Sequence, residues 1–392
     1  MEQFVFSRTP YVIFGPAKFS MLGALLKECN FHSILVIGSR SFNKSPHWDS
    51  LLKQLSESNI GSKFYSVTGE PSAELVDSIS GEHRNSPPDA VVSIGGGSVI
   101  DAGKAISAMI KTEGSVVDYL EVIGSKAPPG IKVPFVAIPT TSGTGSEATK
   151  NAVLSRTGEE GFKRSLRHEN YVPDTALIDP ELALSCPRDV TAASGMDAIT
   201  QLIEGLVSVK GNPLSRALAV SGLEYASQSY PAAVLKGNSD IKARSDMAYA
   251  AFISGIVLAN AGLGVVHGLA SPIGSRFNVP HGVVCGTLLA SATERIVDWL
   301  IEYEGEHSPA LALYAEAGRI LAGREKGTTI DDCRQLVAVL YRWTEDFEIK
   351  RLKNYGLQAK DTEWLAEESG VIKNSPARLG KQDIVAILRK RL

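Results

Sequence analysis

Four short apolar runs in the first half of the chain each end in a glycine- or hydroxyl-rich turn and then pass into a helical pattern. This recurrence limits the fold more than any other feature. The runs are Ser33 to Ile37, closing at Gly38; Lys63 to Val67, closing near Gly69; Ala90 to Ile94, entering Gly95-Gly96-Gly97; and Pro134 to Ile138, entering Pro139-Thr140-Thr141. Such runs alternating with amphipathic stretches mark β-α units around a mainly parallel sheet. Ligands of these sheets bind beyond the carboxyl ends of the strands, where the glycine-rich and threonine-rich turns fall.

The character changes near Pro180 to Arg188. From Asp189 onward the periodicity predicts helices over 189–209, 213–235, 240–260, 264–275, 283–301, 308–321, 330–346 and 359–367, with strand-like runs nearly absent. The expected architecture is an α/β domain over residues 1–182 and an all-α domain over 183–392, with the cleft between them as the natural site. A chain of 392 residues, 44% hydrophobic, can bury two such cores. A net charge of −3 without runs of like charge gives no nucleic-acid footprint. No apolar run reaches the length of a membrane span, and MEQFVFSRTPYVIFG lacks the order of a signal peptide. Cys29, Cys186, Cys285 and Cys333 are scattered without a CxxC pair, as expected of reduced thiols in a cytoplasmic protein.

Gly95-Gly96-Gly97-Ser98-Val99-Ile100-Asp101 joins a strand to a helix. Its glycines let backbone approach a ligand, and the free N–H groups of the helix suit a pyrophosphate. Ser98 can cap that helix, with Asp101 three residues on as in a capping box. A tight turn without a ligand explains this loop equally well, and the usual GxGxxG is missing. The second turn, Pro139 to Glu147, crowds Thr140, Thr141, Ser142, Thr144 and Ser146 around Gly143 and Gly145. Two such turns in one sheet favour a nucleotide site. Further on, Asp197, Gln201 and Glu204 fall at i, i+4 and i+7, on one helix face. His267 and His281, two of only seven histidines, lie in apolar, glycine-rich contexts. One carboxylate and two imidazoles can hold a divalent metal with open positions. The alternative is a pair of hydrogen-bonded core histidines.

The motifs TPYVIFG, IGGGSVIDAGKA, PTTSGTGSEAT, ALIDPELALSCP, SGMDAITQLIEG and VHGLASPIGSRFNVPHG span essentially the whole chain. Together they resemble iron-containing (group III) alcohol dehydrogenases, which have the dehydroquinate synthase-like fold. The resemblance implies an N-terminal α/β dinucleotide-binding domain, an all-α C-terminal domain and a metal in the cleft. It implies an NAD(P)-dependent alcohol dehydrogenase or aldehyde reductase acting on a small alcohol or aldehyde, expected as a homodimer. By the same resemblance Gly96, Gly97, Ser98 and Asp101 form one cofactor loop and Thr140, Thr141, Ser142 and Thr144 the other, with Asn151 and Lys163 as further contacts. Asp197, His267 and His281 match catalytic metal ligands, for iron or zinc. Two positions depart from the pattern: Gln201 stands where the family has a ligand histidine, and Ser271 where it has a further histidine. Gln201 is expected to complete the metal site through its carbonyl oxygen. The first strand ends at Ser39-Arg40, without the aspartate that favours NAD, so NADP(H) should be accepted. Arg276 is a candidate grip for an anionic substrate group. Alternatives are a metal-independent carbonyl reductase, a lyase or cyclase of the dehydroquinate synthase type, and a nucleotide-binding protein without catalysis.

Overall fold

The computed structural model describes residues 3–156, 158, 161–369 and 373–392. Six strands form a wholly parallel sheet: β1 (Tyr11–Phe14), β2 (Ser33–Ser39), β3 (Gly61–Val67), β4 (Ala90–Gly95), β5 (Phe135–Pro139) and, after a hairpin, β8 (Thr175–Ile178). The order is β1-β8-β5-β4-β2-β3. The chain leaves β2 toward one edge and β4 toward the other, so a crevice opens between the carboxyl ends of these two strands. All four strands expected from the sequence are present.

Alternation within the inner strands sends side chains to two separate cores. Leu35, Ile37, Val91, Phe135 and Ala137 pack with helices α3 (Ala73–His83) and α4 (Gly97–Met109). Ile34, Val36, Val92, Val136 and Ile138 face α1 (Leu22–Glu28) and α2 (Pro46–Glu57). A two-stranded antiparallel hairpin, β6 (Asn151–Arg156) with β7 (Phe162–Arg167), projects from this domain and pairs Ser155 with Lys163.

The second domain is helical: α5 (Arg188–Val207), α6 (Pro213–Lys236), α7 (Ile241–Ala261), α8 (Val265–Phe277), α9 (His281–Glu304), α10 (Pro309–Ala322), α11 (Thr329–Asp346), α12 (Asp361–Glu368) and α13 (Lys381–Arg389). Eight of these match expected helices and α13 was not expected. Among the described residues no strand follows Ile178. Helix α5 lies in the middle of this domain, packed on α6, α7 and α9, with Ile199, Leu202, Ile203 and Leu206 fully buried. Among the described residues no single helix is long and apolar enough to cross a membrane.

The two domains meet with backbone against backbone. Gly145, in the turn after β5, has φ +60°, and a Cβ there would lie 2.5 Å from the Gly255 nitrogen in α7. Only glycine satisfies both the left-handed conformation and this approach.

Candidate active site

The sheet side of the cleft is made by the turns after β2, β4 and β5. Helix α4 starts at Gly97 with Gly96 as its N-cap, and no side chain bonds its first N–H groups. The capping expected of Ser98 and Asp101 is therefore corrected. Asp101 is buried and accepts a hydrogen bond from the Val153 N–H (2.9 Å), tying α4 to the hairpin. Ser39, Ser41, Gly96, Thr140 and Thr141 line a cavity of about 400 Å³ at the crevice between β2 and β4. Arg40 is exposed beside it and is not part of its wall.

Lys104 is the residue that organises this side, and the sequence reading gave it no role. It is fully buried, and its ammonium donates to the carbonyls of Ser146 (2.8 Å), Thr149 (2.9 Å) and Asn151 (2.8 Å), with the Thr149 hydroxyl also within reach (3.0 Å). One side chain of the glycine-loop helix thus fixes the whole run from the threonine turn into β6. Burial lowers its pKa to about 8, although Asp101 and Glu147 favour the charge. Glu147, buried alongside, is pushed up to about 7 by the same desolvation.

The helical side is made of side chains. Asp197, Gln201 and Glu204 share the buried face of α5, as their spacing predicted. His267 stands in the first turn of α8 and His281 is the first residue of α9. Glu204 holds the turn carrying His267 twice: one carboxylate oxygen accepts from the Val266 N–H and the other lies against His267 Nδ1, both at 2.7 Å. His267 Nε2 and His281 Nε2 then approach Asp197 Oδ1 at 3.3 and 3.6 Å. One turn further along α9 the thiol of Cys285 lies 3.7 Å from each Nε2. Ligand-capable atoms of Asp197, His267, His281 and Cys285 all fall within 4.8 Å of one another. A carboxylate, two imidazoles and a thiol form a donor set that fits a divalent transition metal.

Burial opposes ionisation of Asp197, but the neighbouring His281 and His267 outweigh it and hold the carboxyl well below the usual range. Burial also opposes charge on His267, yet Cys285, Asp197 and Glu204 raise its imidazole well above the ordinary value. Burial lowers His281 to about 4 and pushes the Cys285 thiol up to about 12.

Gln201 is brought to the cluster but turned the wrong way for a ligand. Its amide nitrogen faces two acceptors, Asp197 Oδ1 and the Thr144 carbonyl, both at 3.3 Å. Its oxygen accepts from the Ser254 hydroxyl at 3.1 Å. This network fixes the amide orientation, because a carboxylate and a carbonyl can only accept. In this arrangement Gln201 is a donor to Asp197, whereas the expected ligation needs its carbonyl oxygen turned to the cluster. The fourth metal-capable group is Cys285, which the sequence reading counted only as a scattered thiol. The signal was there in the i, i+4 spacing of His281 and Cys285 at a helix start.

Two cavities share the wall that carries the imidazoles. One of about 110 Å³ is lined by Gly97, Ser98, Asp101, Thr144, Asn151 and Lys163 together with His267 and His281. The other, of about 550 Å³, is lined by Asn151, Lys163, Asn260, Asn374 and the same two histidines. Ser142 is buried and lies in neither wall. Ser271 donates to the Lys163 carbonyl (3.0 Å). Arg276 stacks over the Trp364 ring at 5.6 Å in a neighbouring recess, so its expected place in the substrate cavity is corrected.

Two family descriptions match the chain: "Iron-containing alcohol dehydrogenase" over residues 9–180 and "Fe-containing alcohol dehydrogenase family, C-terminal" over 191–392. Long-chain-alcohol dehydrogenase 1 of Geobacillus thermodenitrificans is 35% identical over 302 residues, 73% of this chain and 75% of its own length. Alcohol dehydrogenase 4 of Saccharomyces cerevisiae is 30% identical over 389 residues, 97% and 96% of the two chains. The crystal structure of a 1,3-propanediol oxidoreductase superposes with a TM-score of 0.89 at 28% identity, covering 100% of both chains. The chain belongs to the iron-containing alcohol dehydrogenase family.

Proposed function

We propose that this protein interconverts a small alcohol and its aldehyde or ketone by hydride transfer with NAD(P), residues 1–182 holding the dinucleotide and 183–392 the metal. The observation that carries the reading is that His267 and His281 line both a cavity bordered by the glycine and threonine loops and an adjoining, larger cavity. The nicotinamide would carry the hydride, and a divalent metal, iron or zinc, held by Asp197, His267 and His281 would polarise the substrate oxygen. Ser39, Thr140 and Thr141 take the adenosine end of the dinucleotide, and Gly96, Gly97 and Ser98 present free amides to its phosphates. Thr144, Asn151, Lys163 and Asp101 border the nicotinamide end, while Ser142 supports the threonine loop from behind. A homodimer in the cytoplasm belongs to the same proposal, and four free cysteines suit a reducing compartment.

The larger cavity favours a substrate with an anionic group. Lys150, Lys163, Arg167 and Lys210 line it and no carboxylate does. Lys150, Lys163 and Arg167 are paired with Glu169, Glu70 and Glu121. Lys210 has no ion pair among the described residues, and it is the cation left to meet a substrate carboxylate or phosphonate. Oxidation of NADH and NADPH should be followed with neutral and anionic aldehydes of matched length. Turnover with preference for the anionic member is expected, and Lys210→Ala should narrow that preference. Absence of turnover with every aldehyde and ketone would sink the oxidoreductase reading. A lyase would convert substrate without net consumption of reduced cofactor.

A further inference from the structure

We infer that Cys285 is a metal ligand in its own right, replacing the imidazole that the family carries at position 201, and that the resulting Asp–His–His–Cys site selects zinc over iron. The inference rests on the reading that this cluster holds a divalent metal.

A tetrahedral zinc centre has bonds of about 2.0 Å to oxygen and nitrogen and about 2.3 Å to sulfur. Its edges are then about 3.3 Å between oxygen and nitrogen and about 3.6 Å between nitrogen and sulfur. The structure has 3.3 and 3.6 Å from Asp197 Oδ1 to the two imidazole nitrogens, and 3.7 Å from the Cys285 sulfur to each of them. Four of the six donor–donor distances, from donors on three helices, are therefore within a few tenths of an ångström of zinc-site edges, and all four donors lie within 4.8 Å of one another. Cys285 is fully buried, and the backbone of α9 fixes its distance from His281. Cys285 belongs to the buried core of the helical domain, yet its sulfur lies within 4.8 Å of two imidazole nitrogens and a carboxylate oxygen.

Position 201 explains why a new ligand is needed. Gln201 gives its nitrogen to Asp197 and its oxygen to Ser254, so it steadies a ligand without being one. The site has lost a nitrogen donor at one corner and gained a sulfur donor at another. Thiolate is a soft donor that favours zinc, whereas an oxygen- and nitrogen-only set accepts iron and zinc alike. Four protein ligands complete a zinc tetrahedron, so a substrate oxygen would reach the metal by expansion to five-coordination.

The full-length protein, stripped with chelator and loaded with one equivalent of Co²⁺, tests this directly. Thiolate ligation gives a near-ultraviolet sulfur-to-cobalt charge-transfer band beside intense tetrahedral d–d bands. Both are expected in the unmodified chain. The charge-transfer band should vanish in Cys285→Ser and persist in Cys333→Ser, which checks that no other thiol is responsible. In competition between Zn²⁺ and Fe²⁺, the unmodified chain should retain zinc, and Cys285→Ser should lose at least tenfold of that preference. If Cys285→Ser fails to fold, the spectrum of the unmodified and Cys333→Ser chains still decides. Cobalt bound with d–d bands but no charge-transfer band would overturn the thiolate ligand and leave the metal reading standing. Failure to bind Co²⁺, Zn²⁺ or Fe²⁺ while NAD(P)H oxidation continues would overturn the metal reading, and this inference with it.

Discussion

On the sheet side of the cleft the groups that face the cavities sit on two loops, whose backbone is shaped by Gly96, Gly97 and Gly145 and held from inside by Lys104. On the helical side they are side chains, delivered by α5, α8 and α9 from positions as far apart as 197 and 285. The contrast separates two ways of failing. A wall built on loops is sensitive to whatever holds its shape. A side-chain wall tolerates changes of backbone environment but loses function with a single donor.

The sharpest test of that contrast is Asp197→Ala. It should lower kcat/KM by about a thousandfold, the several kcal/mol expected when transition-state charge stabilisation is lost. Dinucleotide binding, measured by calorimetry, should change little. A large loss of cofactor affinity instead would mean that the walls are not independent. Lys104→Met is the reciprocal test. It leaves three buried carbonyls short of a donor and should cost about 3 kcal/mol in urea unfolding. It should weaken dinucleotide binding while metal content is preserved.

Glu147 offers a pH test of the same wall. Its carboxyl titrates near 7 in the folded protein and near 4.5 in the unfolded chain, so between these values the folded state holds a proton that the unfolded state has released. Its contribution is complete below about pH 4.5 and is lost as pH rises through about 7, at most about 3 kcal/mol. Urea midpoints across that window should therefore fall less steeply in Glu147→Gln, and an unchanged slope would contradict the assignment. The smallest effect is at the far end of the cofactor cavity. Ser39→Asp should reduce kcat/KM for NADPH by about tenfold, close to 1.4 kcal/mol, and spare NADH.

The same contrast governs how much could be read from residues alone. The inner strands were evident because each carries a complete two-faced alternation into separate cores. Strands β1 and β8 were missed: each has only four residues, and β8 runs straight into Asp179-Pro180, which read as a linker. The β6–β7 hairpin was missed because Lys163, Arg164 and Arg167 interrupt any apolar run. The glycine and threonine loops announce themselves locally, whereas Lys104 does not, since its acceptors lie 42 to 47 residues away. On the helical side Asp197, Glu204 and the histidines could be proposed from spacing and resemblance. The direction of the Gln201 amide could not, because it is set by Thr144 and Ser254, 57 and 53 residues distant.

Glu204, with both oxygens occupied at the start of α8, has a consequence for the tautomer of His267. A carboxylate at Nδ1 can only accept, so the imidazole must keep its proton on that nitrogen, and with a metal bound Nε2 would be left as the ligating atom. Position 204 thus writes the electronic polarity of a ring whose far side it never touches. An amide there, able to donate as well as accept, would allow the ring to present a proton in place of a lone pair.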